Sequence, residues 1–84
     1  MMKVTSPASL ASAIRDHRKV SKLTQKDAAA LVGIKQATVS DFENRPESTK
    51  LETLFKLLSA LDLELHVVKR GSILDDSKVW DREW

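Results

Sequence analysis

Eighty-four residues with a net charge of +2 make one small domain, and the absence of cysteine removes any disulfide or zinc–thiolate staple. Stability must then come from an apolar core, extended where needed by an oligomer interface, and a disulfide-built secreted mini-protein is disfavoured. The opening MMKVTSPASL lacks the apolar core of a signal peptide, and no segment approaches the roughly 18 apolar residues of a membrane span, so a cytoplasmic location is expected.

The first expected helix starts at Ser6-Pro7, where Ser caps free amides and Pro has no N–H to lose. Leu10, Ile14 and the stem of Arg18 share one face, with Ala11 and Ala13 close by, and the helix is expected to run to about Val20. Thr24 and Asp27 stand at capping-box spacing and open a second helix containing Ala28, Ala29, Leu31 and Val32. Gly33 suits the left-handed residue that ends it. The second helix is barely two turns long and would not form alone.

A third short helix is expected over about Gln36 to Glu43, stopped by Asn44-Arg45-Pro46. Thr49 and Glu52 have the spacing of a full capping box for a fourth helix, in which Leu51, Leu54, Phe55, Leu58 and Leu61 recur at helical intervals. The period then changes. Leu61, Leu63, Leu65 and Val67 alternate with Asp62, Glu64, His66 and Val68, a strand pattern closed by Gly71. A lone strand needs a partner, either residues 3–5 or its own copy across a two-fold axis. The copy is favoured, because a dimer also covers apolar surface that so small a domain leaves exposed.

Charge is unevenly spread. Residues 1–22 carry Lys3, Arg15, Arg18, Lys19 and Lys22 against Asp16, whereas residues 71–84 carry Lys78 and Arg82 against Asp75, Asp76, Asp81 and Glu83. A basic body with an acidic tail suggests a polyanion partner for the body and a different partner for the tail. From Ser72 onward no hydrophobic period is sustained, and the segment reads as a flexible tail. Both Trp residues, Trp80 and Trp84, lie in it, and exposed Trp residues are frequent interface anchors.

Two short helices joined by a Gly turn form a helix-turn-helix pattern. In the twenty residues QKDAAALVGIKQATVSDFEN, counted from Gln25, Ala29 is fifth and Gly33 ninth. Apolar residues fill the fourth, eighth, tenth, fifteenth and eighteenth places: Ala28, Val32, Ile34, Val39 and Phe42. Small Ala29 allows a close helix crossing, Gly33 makes the turn, and the five apolar residues are expected to hold both helices on the core. The third helix is short and polar because its outer face is suited to meet bases. Lys35 can donate to guanine O6 and N7, Gln36 can pair in two places with adenine, the Ala37 methyl can touch a thymine methyl, and Ser40 can bond to either kind of base. Gln25, Thr38, Lys22, Arg45 and Lys50 are candidate phosphate contacts by position, helped by the free amides of helix N-termini.

This arrangement resembles the lambda-repressor-like, Xre-type helix-turn-helix family over about residues 7–62. The resemblance implies an all-α domain of four to five helices. In that family the first residue of the second helix, often Gln, binds a phosphate and steadies a Gln at the start of the recognition helix; Gln25 and Gln36 match that pair. The resemblance tightens in GIKQATVSDFEN, the Pro-containing loop after it, LETLFKLLSALDLEL and the terminal Glu83-Trp84, which together are similar to the HipB antitoxins. That resemblance implies a homodimer joined by an intermolecular two-stranded sheet through Leu63, Leu65 and Val67, a palindromic operator of double-stranded DNA, and a HipA-type serine/threonine kinase toxin as partner. It also implies that Trp84 can dock on the kinase.

The expected organisation is a DNA-binding and dimerisation domain over residues 1–71 and a partner-binding tail over residues 72–84. An enzyme is not expected. His17 and His66 are far apart, and no phosphate-cradling Gly loop, nucleophile motif, metal-spaced carboxylate set or cofactor signature occurs. The alternatives are a stand-alone Xre-type repressor without a toxin and an interaction domain that kept the fold but lost DNA binding. The second of these predicts damaged recognition positions.

Overall fold

The computed structural model describes residues 3–70, which fold into four α-helices and one 3₁₀ turn. Helix α1 spans Pro7–Val20, α2 Gln25–Val32, α3 Gln36–Asn44 and α4 Leu51–Ala60, with the 3₁₀ turn at Pro46–Ser48 between α3 and α4. Each start has a local cause. Ser6 accepts from the Ser9 amide, while the Ser9 hydroxyl oxygen accepts from the Ser6 amide at 3.2 Å. At α2 the box closes reciprocally, with Asp27 N–H to Thr24 Oγ1 and Thr24 N–H to Asp27 Oδ2, both at 3.0 Å. Gly33 ends α2 at φ +71°, the left-handed conformation that an L side chain resists.

The core gathers Ala11 and Ile14 of α1, Ala28 and Ala29 of α2, Val39 and Phe42 of α3, and Leu54, Leu57 and Leu58 of α4, with Leu61 just after it. Ala28 and Ala29 of α2 are almost wholly buried. Burying a residue the size of Phe42 or Leu57 contributes about 1.5–3 kcal/mol, which is what holds helices too short to persist alone.

Three local expectations give way. The Thr49–Glu52 capping box does not form, because α4 begins one residue later with Lys50 as its uncapped N-cap. The Thr49 amide is already engaged by Pro46 O at 3.1 Å as the 3₁₀ turn closes, so it is not offered to Glu52. The buried stripe of α4 is Leu54, Leu57, Leu58 and Leu61, while Leu51 and Phe55 are exposed. At 100° per residue Phe55 lies roughly 110° from the middle of that stripe, outside the arc the core can cover. In the helix-turn-helix, Ala28, Val39 and Phe42 are buried, Val32 and Ile34 are half-buried, and Leu31 faces solvent. Within the single chain, residues 63–69 pair with neither residues 3–5 nor any other described residue; the favoured mate, a second copy, lies outside it. Asp62, at φ +58°, turns the chain out of α4; Leu63 then packs against the core, and Leu65 and Val67 remain exposed.

Candidate nucleic-acid interface

Helix α3 is anchored by its inner face and polar on its outer one. Val39 and Phe42 are buried, whereas Gln36 and Ala37 are exposed in the first turn and Ser40 is half-buried one turn on. Lys35, the exposed N-cap, is in extended conformation and makes no side-chain cap bond. A helix start without a side-chain acceptor keeps amides available to an anion, and a cation there opposes the helix dipole. Such a choice weakens the helix and favours a polyanionic ligand. Ser40 Oγ accepts from Asn44 Nδ2 at 3.2 Å, which keeps the hydroxyl proton available to another acceptor. Thr38 is half-buried on the same first turn.

The remaining candidates lie outside this helix. Lys22 is exposed in the turn between α1 and α2, at φ +61°. Arg45 follows α3 and lies 3.7 Å from Asp41, a solvated pair too loose to hold it. Lys50 is the exposed N-cap of α4. Gln25 is the first residue of α2, and its side chain is committed: Nε2 donates to Glu43 Oε1 at 3.0 Å. In the free chain Gln25 is thus held by Glu43 rather than by Gln36. Trp80 and Trp84 lie outside the described residues, as does the whole tail 72–84.

Glu43 belongs to a network that the sequence reading did not anticipate. Arg18 Nε donates to Glu43 Oε2 at 2.7 Å, Nη2 to Oε1 at 3.1 Å, and Nη1 to the Leu23 carbonyl at 2.8 Å. One guanidinium therefore ties α1 to the turn before α2 and to the last turn of α3. The Arg18 side chain is 10 % exposed and that of Glu43 3 %. Burial pushes the Glu43 carboxyl up, but the hydrogen bonds from Arg18 and Gln25, with the positive charges of Arg18 and Arg15, outweigh it and hold the group below its ordinary value. The signal available in the sequence was phase: Arg18 continues the Ile14 stripe of α1, and Glu43 adjoins Phe42. Asp27 is also held low, chiefly by the backbone amide of Thr24 and then by its hydroxyl.

Among the described residues no group of His, Asp and Glu is placed to hold a metal ion, and no helix is long and apolar enough to cross a membrane.

A helix-turn-helix family model matches residues 14–68. The chain is 39% identical over 83 residues to the antitoxin HipB of Escherichia coli O6:H1, covering 98% of this chain and 88% of the relative. It is 46% identical over 63 residues to the antitoxin HipB of Escherichia coli K12, covering 75% and 72% respectively. The solved chain in a HipA–HipB–O2–O3 complex superposes with a TM-score of 0.82 at 41% identity, covering 84% of this chain and all of that one. Fold, motif and relatives agree: this chain belongs to the HipB antitoxins, a non-enzymatic branch of the helix-turn-helix family.

Proposed function

We propose that the chain is a sequence-specific DNA-binding repressor that acts in the cytoplasm as the antitoxin of a HipA-type serine/threonine kinase and represses its own operon. The observation that carries the DNA half is the start of α3, where Lys35, Gln36 and Ala37 stand exposed on a helix fixed from behind by Val39 and Phe42. In this reading Lys35, Gln36, Ala37 and Ser40 meet base edges in the major groove, and Gln25, Thr38, Lys22, Arg45 and Lys50 meet phosphates. The solved HipA–HipB–O2–O3 complex supports both partners, with O2 and O3 read as operator sites.

A palindromic operator requires a dimer. Phe55, Leu65 and Val67 are exposed, and an open groove of about 440 Å³ lies between α4 and the segment after it, lined among others by Phe55, Leu63 and Leu65. This is apolar surface for a second copy, to which residues Leu63, Leu65 and Val67 would contribute a paired strand. Residues 1–71 then form the DNA-binding and dimerisation domain, and residues 72–84, with Trp80 and Trp84, the segment offered to the kinase.

The reading is tested by titrating the protein against duplex DNA from upstream of its own coding sequence, with a scrambled duplex as control, at two salt concentrations. Preference of about a thousandfold, with two chains per palindrome, is the expected result. Equal affinity for both duplexes, however steep the salt dependence, defeats it, because phosphate attraction alone gives that behaviour.

A further inference from the structure

We propose that Glu43 is a positioning residue for DNA binding: its buried carboxylate fixes the orientation of the Gln25 carboxamide at the start of α2. The inference rests on the DNA-binding reading above and adds to it a residue that touches no DNA.

An ionised carboxylate only accepts. Glu43 Oε2 is occupied by Arg18 Nε, and Oε1 receives both Arg18 Nη2 and Gln25 Nε2. Reversing the Gln25 amide would set its carbonyl oxygen against that carboxylate oxygen, so only one orientation is allowed. The NH₂ group must face Glu43, which leaves one N–H and the carbonyl oxygen of Gln25 for a ligand. The carboxylate is itself immovable, because Arg18 grips both oxygens while bonding Leu23 O in the turn just before α2. The same guanidinium therefore positions the backbone entering α2 and the group that orients its first side chain. Gln25 is half-buried, so the residue is not closed off from solvent. A glutamine left to rotate at a helix start would lose side-chain entropy on binding a phosphate; one already held has little left to lose.

The test is a double-mutant cycle on affinity for the upstream duplex, using Gln25→Ala, Glu43→Gln and the double variant, each checked for folding by circular dichroism. Glutamine at position 43 keeps the shape but can both donate and accept, so it no longer dictates the amide's orientation. The expected result is a loss of about tenfold for each single variant, the scale of one hydrogen bond. In the Gln25→Ala background, Glu43→Gln should change affinity by less than about twofold. Additive losses with intact wild-type binding overturn the proposal, since they mean that Glu43 acts through the general integrity of the fold. Should Glu43→Gln not fold, the order parameter of the Gln25 side-chain amide in the free wild-type chain answers the same question by NMR. A value near that of the rigid backbone is expected, and a freely rotating amide overturns the proposal. Wild-type protein that fails to distinguish the two duplexes overturns the DNA-binding reading and this inference with it.

Discussion

Arg18 on α1 and Glu43 on α3, twenty-five residues apart, meet in a two-pronged ion pair that is almost closed to water. Charge pairs in such places are weak evidence for net stability, because desolvating both ions offsets most of their attraction. Breaking the pair from one side is different, since it strands the other charge. Arg18→Met alone should therefore lower the unfolding free energy by about 3–5 kcal/mol, whereas Arg18→Met with Glu43→Leu should recover most of the loss. Urea unfolding of the three proteins checks this. A double variant as unstable as the single one would mean that the pair is a net stabiliser here.

The pair also sets a pH dependence. Glu43 has its folded-state pKa lowered from the ordinary 4.5, so the unfolded chain takes up a proton at higher pH than the folded one. The stabilisation is therefore fully present above about pH 4.5 and declines as pH falls from there through the lower, folded-state value. Asp27 acts in the same direction through its bonds to Thr24, in an exposed position. Stability measured by denaturant between neutral and acid pH should fall in that window, and Glu43→Gln should flatten part of the slope. A slope unchanged in Glu43→Gln would assign the acid sensitivity to other carboxylates.

Two threonines that look alike in sequence separate cleanly in the structure. Thr24 exchanges two hydrogen bonds with Asp27, whereas Thr49 makes no side-chain cap for α4. Thr24→Ala should cost about 1 kcal/mol, and Thr49→Ala should stay within about 0.5 kcal/mol of wild type. Thermal melts of both variants decide it, with equal losses counting against the difference drawn between the two caps.

These threonines show how much was legible in the chain. Capping signals, the Gly turn and the apolar spacing of the helix-turn-helix are local, so Ser6, Thr24, Gly33, Val39 and Phe42 could be read directly. The Thr49 box failed because a competing bond from the 3₁₀ turn is decided by the path of the loop. Phe55 was misplaced because periodicity gives the spacing of a stripe but not which arc faces the core. The Arg18–Glu43–Gln25 network spans three helices; phase puts Arg18 on the buried stripe of α1, but spacing does not say which residues of the other helices it meets. The alternating run Leu61–Val67 marks a segment that finds no strand partner among the described residues of the single chain, where a pattern alone could not choose between an internal and an external mate.

The proposed base contact on α3 and the proposed phosphate contact at the start of α4 can be told apart. Gln36 is exposed at the start of α3, and Lys50 is exposed at the start of α4. If Gln36 reads a base, Gln36→Ala should weaken binding to the upstream duplex by about 1–3 kcal/mol and relax the preference at one base pair per half-site. If Lys50 meets a phosphate, Lys50→Ala should weaken binding to every duplex alike and reduce the salt slope by about one charge per chain. Half-sites should lie one helical turn, roughly 34–36 Å, apart, because two copies of α3 must enter successive major grooves on one side of the duplex. The measurement is a panel of single-base operator variants titrated with both proteins at several salt concentrations. Uniform weakening by Gln36→Ala would remove it from the bases and place it among the phosphate contacts. Unchanged binding would mean that another part of the chain carries the specificity.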